Sequence, residues 1–163
     1  EKTEGMEKIS YFEEDMTDFS LHKPADVVLC ICDSMNYLLS TEEIFAMFRC
    51  IKEALAEDGV AILDMKTAYC FQKVMGNQTR VDETEEALMI WDNTYDEETC
   101  INEYLLTIFT EDKATGMYAR YDECHEQRAY TEDEIKSCLK ETSLRLVKSW
   151  TEDEVRTYFV IQR

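Results

Sequence analysis

The chain has 163 residues, 45% of them apolar, which is enough for a domain with a sizeable core. Its formal charge of −19 at neutral pH excludes the clustered basic surface needed to hold nucleic acid or an anionic membrane. No apolar run reaches the roughly 20 residues that span a bilayer, and the chain does not open with a signal peptide. The seven cysteines are scattered and odd in number, as in a reducing compartment, so the expected location is the cytoplasm. Cys30 and Cys32 share a strand face, but no second Cys or His pair stands at zinc spacing, and no metal site is expected.

In chain order, residues 9–15, ISYFEED, alternate as a strand and end on an acid. Residues 25–38, ADVVLCICDSMNYL, follow. The continuous apolar run at 27–31 reads as a strand covered on both faces, as in a parallel sheet. It stops on Asp33, Ser34 and Asn36, the place where an open α/β sheet holds its ligand. The same residue types also cap helices, and this stretch leaves both readings open.

Ser40-Thr41-Glu42-Glu43 is a capping box. The helix it opens carries Ile44, Phe48, Ile51 and Leu55 on one face, and Asp58-Gly59 is its expected stop. Residues 60–65, VAILDM, form a third strand ending on Asp64, and the strand-helix-strand order is that of a doubly wound sheet. Residues 66–75 read as a short helix closed by Gly76-Asn77. Three long strands follow at 87–95, 100–110 and 117–128, and their short joins fit an antiparallel meander. Thr131 to Glu134 is a second capping box, and residues 144–150 and 155–161 form a closing antiparallel hairpin.

With these elements in order, the chain resembles the C-terminal two-thirds of a class I S-adenosylmethionine-dependent methyltransferase. The likeness covers nearly all of the sequence and rests on YFEEDMTDF, DVVLCICDSMNYL, EALAEDGVAILDM and the closing hairpin with its YFV strand. The segment HEQRAYTEDEI resembles small bacterial members that carry an antiparallel lobe over the active site. The implied fold is α/β, a Rossmann-like methyltransferase sheet incomplete at its N-terminus and carrying a three-strand antiparallel insert. Residues 1–65 are then a partial core, 66–128 the lobe, and 129–163 the C-terminal helix and closing strands.

The resemblance implies S-adenosyl-L-methionine as cofactor and a small-molecule acceptor. Asp15 would take the adenine amino group, with Met16 beside it. Cys32, Asp33 and Ser34 would lie near the methyl donor, and Tyr37 one turn further on. Asp64, Lys66, Tyr69, His125, Arg128 and Tyr130 would face the acceptor. Each has an ordinary alternative: Asp15 as the cap of its turn, His125 as a hydrogen-bonded strand residue, Arg128 as an ion-pair partner. Methyl transfer needs no metal and no fixed catalytic triad, so no catalytic residue is assigned.

The family's glycine-rich turn has no counterpart, since the four glycines, Gly5, Gly59, Gly76 and Gly116, are far apart. The resemblance therefore implies a fragment lacking two strand-helix units and inactive by itself. In the family's strand order this opens an apolar edge at 27–32, which is expected to pair with a second copy or to take residues 9–15 alongside. The alternative function is a non-catalytic acidic binding module on the same fold.

Overall fold

The computed structural model describes residues 9–163. Its elements in chain order are β1 (Ala25–Cys30), a 3-10 turn (Ser34–Tyr37), α1 (Thr41–Ala54), β2 (Leu55–Lys66), a π-type helical turn (Cys70–Met75), β3 (Gln78–Glu83), β4 (Ala87–Asp96), β5 (Ile101–Asp112), β6 (Met117–Arg128), α2 (Glu132–Thr142), β7 (Arg145–Glu152) and β8 (Arg156–Gln162). They build two four-stranded sheets.

The first sheet has the order β1-β2-β8-β7, with β1 parallel to β2 and the other pairs antiparallel. Ile44, Met47, Phe48 and Ile51 recur at helical spacing on α1, and Ile135, Cys138 and Leu139 do so on α2. Both stripes enter one core with Ala61, Leu63, Phe159 and Ile161, which share a single face of the sheet. Ser40–Glu43 and Thr131–Glu134 form complete capping boxes, so both helices start where the sequence says they should.

The second sheet is an antiparallel meander, β3-β4-β5-β6. It has four strands where the sequence indicates three. QTRVDE in β3 is exposed throughout and has no apolar face to betray it; its pairing with β4, from Gln78↔Asn93 to Glu83↔Leu88, is what makes it a strand. At the base of this lobe, Asn93 and Asn102 are buried and exchange two side-chain hydrogen bonds of 2.9 Å. Asn93 Nδ2 also donates to Gly76 O at 2.7 Å, which fastens the lobe to the turn where the chain enters it.

Three further expectations change. Residues 9–15 do not form a strand: the described part shows a single bridge between Asp15 and Asp18, with Tyr11 and Phe12 facing outwards. A strand needs a neighbour to satisfy its backbone, and this segment has not moved in beside β1. β1 is covered on one face only, because both helices pack on the side of Val28 and Cys30. Val27 and Leu29, on the other face, are 55% and 60% exposed. Finally, α1 ends at Ala54 rather than at Asp58-Gly59, and Gly59 lies within β2.

The role of Gly59 is close approach and not a helix cap. The pairing of β1 with β2 jumps from Ala25↔Leu55 to Val27↔Val60, a bulge in which a β-carbon on Gly59 would stand 2.9 Å from Ala25 O and 3.0 Å from Ala56 N and O. All three obstacles are backbone. Gly59→Ala is expected to destabilise the chain by about 2 kcal/mol, read as a lower urea midpoint with unchanged m-value. An unshifted midpoint would show that the bulge yields freely.

Candidate active site

The chain leaves β1 through two consecutive left-handed residues, Cys32 (φ 62°) and Asp33 (φ 55°). Neither is glycine, and each such residue costs on the order of 1 kcal/mol or more. The turn is held by the Asp64 carboxylate at the end of β2, which accepts the backbone N–H of Cys32 at 3.0 Å and of Asp33 at 2.6 Å. Arg156 at the start of β8 then bridges the two acids, donating to Asp64 Oδ1 at 2.6 Å and to Asp33 Oδ1 at 2.8 Å. Lys66 Nζ lies 2.9 Å from Asp33 Oδ2, and Gln127 Nε2 of the lobe donates to the same oxygen at 2.9 Å.

Two carboxylates thus face two cations in a largely buried cluster with no net charge. Burial alone would raise the pKa of Asp33; the hydrogen bonds from Lys66, Arg156 and Gln127 outweigh it and hold the carboxyl below its ordinary range. Burial works in the opposite sense on Arg156, and Asp33 and Asp64 overcome it, raising its pKa further.

Asn36, fully buried in the 3-10 turn, ties the turn to both sheets. It accepts Lys66 N–H at 2.8 Å and donates to Lys66 O at 3.1 Å and Arg128 O at 2.8 Å. Arg128 donates to Leu39 O at 3.1 Å and Glu134 Oε1 at 3.0 Å, and its guanidinium lies 4.8 Å from the Tyr130 ring centroid. The Tyr130 hydroxyl donates to Leu38 O at 2.5 Å, with Ser40 O 3.1 Å away. Arg128 and Tyr130 therefore join the lobe to the helices in this structure.

Beyond the charged cluster, the lobe presents aromatic rings to the turn. Trp91, Tyr104 and His125 stack across β4, β5 and β6, with centroids 4.6 and 4.7 Å apart. The Tyr37 hydroxyl lies 2.6 Å from that of Tyr104 and 3.2 Å from His125 Nδ1.

The structure thus gathers Cys32, Asp33, Ser34, Tyr37, Asp64, Lys66 and His125 around one turn. Ser34 Oγ donates to Ile31 O at 2.9 Å and closes that turn. Asp15 and Met16 stand apart from this network. Asp15 Oδ1 accepts the N–H and hydroxyl of Thr17 at 2.8 and 2.7 Å, which lowers its pKa, while Met16 packs against the main core. A cleft of 670 Å³ opens beside them, lined by Phe12, Asp15, Met16, Phe19, Leu21 and Lys23 among others. Tyr69 is half exposed and takes no part.

Sequence reasoning missed Arg156, Gln127 and Tyr104 as parts of the site, and it placed Asn36 at the strand end without a partner. Gln127 carried a signal, since it shares a strand face with His125. Arg156 carried none, because its partner Asp33 is 123 residues away.

No protein-family model matches the chain. A Geobacillus protein provisionally named a methyltransferase is 30% identical over 163 residues, which span 95% of this chain and 66% of that protein. Among solved structures, an S-adenosylmethionine-dependent methyltransferase from Clostridium acetobutylicum superimposes with a TM-score of 0.82 at 24% identity, covering 91% of this chain and 62% of the other. A second, an amino pentose methyltransferase from Micromonospora echinaspora solved with S-adenosylmethionine bound, gives a TM-score of 0.62 at 17% identity over 90% and 62% of the two chains. The fold is that of the class I S-adenosylmethionine-dependent methyltransferases. The chain spans just under two thirds of the length of the proteins it matches.

The cluster gives acid sensitivity a definite sign. A carboxyl with a depressed native pKa contributes stability above its unfolded value, about 3.9, and loses it as pH falls through the native value. Asp33→Asn is expected to cost about 2 kcal/mol at neutral pH, roughly half the cost of breaking a fully buried pair. In urea titrations the gap from wild type should close as pH falls below about 4. A gap that stays constant to the acid limit would mean that Asp33 is not stabilised as an anion.

Proposed function

We propose that this chain supplies the acceptor-facing part of a methyltransferase that moves a methyl group from S-adenosyl-L-methionine to a small-molecule acceptor. The observation that carries the reading is the Asp33 turn, held rigid at the carboxyl end of β1 and faced by Tyr37 and the aromatic stack of the lobe. Ligands of open α/β sheets sit at such strand ends. In this reading residues 1–65 and 129–163 form the core, and residues 66–128 the lobe that covers the acceptor.

The residues present fit the cofactor in two places. Both bonds to the Asp15 carboxylate fall on Oδ1, leaving Oδ2 with no donor among the described residues, at the wall of a cleft large enough for a purine. Asp15 and Met16 would hold the adenine there. Cys32, Asp33 and Ser34 would border the methionine end, and the half-exposed Tyr37 the transferred methyl. When bound, the cofactor supplies an electrophilic methyl on a sulfonium; the protein supplies proximity and a site shielded from water. Lys66 and His125 would face the acceptor. The open edge of β1 would pair with a second copy of the chain, which sedimentation equilibrium would read as a dimer.

A second reading is favoured by the 590 Å³ groove between α1 and α2, whose rim carries Glu42, Asp133, Glu134 and Glu141. There the chain would be a non-catalytic module that meets a basic protein in a salt-sensitive complex.

Amide chemical-shift mapping with S-adenosylhomocysteine separates the two. Methyltransferase function predicts shifts concentrated at residues 15–16 and 32–37, displaced by S-adenosylmethionine. A folded chain with no shifts at millimolar ligand would overturn the cofactor roles given to Asp15, Met16 and residues 32–37, and a salt-sensitive complex with a basic protein would then favour the module.

A further inference from the structure

The hydrogen bonds around Tyr37 have a direction. Tyr104 is buried, and its hydroxyl has one partner among the described residues, the Tyr37 hydroxyl at 2.6 Å. Burial, followed by that hydrogen bond and by the nearby Tyr37, Asp33 and Glu123, drives the Tyr104 pKa far above the usual phenol range. Buried with that single partner, the Tyr104 O–H is satisfied only by donating to the Tyr37 oxygen. The Tyr37 proton is left to point at the remaining neighbour, His125 Nδ1 at 3.2 Å. That bond requires Nδ1 to be bare and the imidazole proton to sit on Nε2, where Glu123 Oε2 accepts it at 3.2 Å.

The ends of this chain differ in a way that a packing device would not need. Tyr37 belongs to the turn that follows Asp33 and is 40% exposed. The Glu123 side chain, at the other end, is 57% exposed and can exchange protons with water. Between them, stacking on Tyr104 fixes the plane of the His125 ring, with an interplanar angle of 11°. A phenol at the site mouth, an imidazole behind it and a carboxylate orienting the imidazole follow the order of an activated proton acceptor.

The geometry points to a proton relay, Tyr37 to His125 to Glu123, that takes a proton from the methyl acceptor. This rests on the methyl-transfer reading above and narrows its substrate class. The acceptor carries its nucleophile as a hydroxyl or a protonated amine, not as a carboxylate, which has no proton to lose. Tyr37 is the catalytic residue; His125 and Glu123 are positioning residues that act through it.

For a hydroxyl acceptor, the oxygen lone pair forms the bond to the methyl carbon as the carbon–sulfur bond breaks and leaves its electron pair on sulfur. The acceptor proton passes to the Tyr37 oxygen while the proton of Tyr37 passes to His125 Nδ1. The resulting imidazolium is held by Glu123 until a proton leaves to water. A cationic donor and a neutral alcohol thus become a neutral thioether, a methyl ether and one released proton.

The chain has two histidines, His22 and His125, so long-range nitrogen–proton correlation spectra resolve each ring without any ligand. The relay requires the Nε2–H tautomer at His125 in the wild type and a mixed population in Glu123→Gln. In methyl-transfer assays on a hydroxyl acceptor, Tyr37→Phe and His125→Gln should each lower kcat by about 100-fold with KM for the methyl donor nearly unchanged. The loss should shrink on a thiolate acceptor, which arrives deprotonated. An Nδ1–H tautomer overturns the relay, as do undiminished kcat values or equal losses on both acceptors. The expected tautomer with neither donor binding nor transfer removes the methyl-transfer reading and the relay together, an outcome distinct from the tautomer failing alone.

Discussion

The Asp64 carboxylate is the interaction on which the site depends. It accepts two backbone N–H groups of a left-handed turn and one arm of Arg156, so a single side chain shapes the end of β1 and anchors the start of β8. The magnitudes decide the matter. Two left-handed residues cost a few kcal/mol together, whereas hydrogen bonds to a charged acceptor contribute about 1.5–3 kcal/mol each. The anchored turn is therefore the stable one, and Asp33, Ser34 and Asn36 inherit fixed positions from it.

The same logic docks the lobe. The main apolar core unites both helices with the first sheet, but the cluster under the lobe is small, formed by Phe71, Tyr95 and Ala129 with Met75 and Cys100 against it. The junction relies instead on Asn36, Gln127 and Arg128, whose bonds run to particular backbone and carboxylate atoms. Directional bonds in a buried setting fix a register in a way that an apolar contact does not. That register brings Tyr104 and His125 within reach of Tyr37. Charge is divided in a corresponding way: the chain carries −19 overall, yet the cluster at Asp33 is balanced, and the excess acid lies outside it.

What the sequence by itself determined were the features whose physics is local. Both capping boxes, the apolar stripes of the two helices, the strand at β1, the closing hairpin and the glycine stop at Gly76 depend on residues within a turn or two of one another. Asp33 and Asp64 were each legible as an acid closing an apolar strand, but the sequence set Asp33 beside the cofactor and Asp64 and Lys66 beside the acceptor; the parallel pairing of β1 with β2 is what brings the three together. Tertiary structure alone decided the rest. Whether ISYFEED is a strand depends on whether a neighbour lies beside it, and in the described residues none does; QTRVDE is a strand only because β4 pairs with it. Gly59 resembles a helix cap until β1 is laid against it. Arg156 and Gln127 meet Asp33 across 123 and 94 residues. Periodicity and capping report on backbone conformation, which is set nearby, whereas hydrogen-bond partners and charge neutralisation are set by which strand lies next to which.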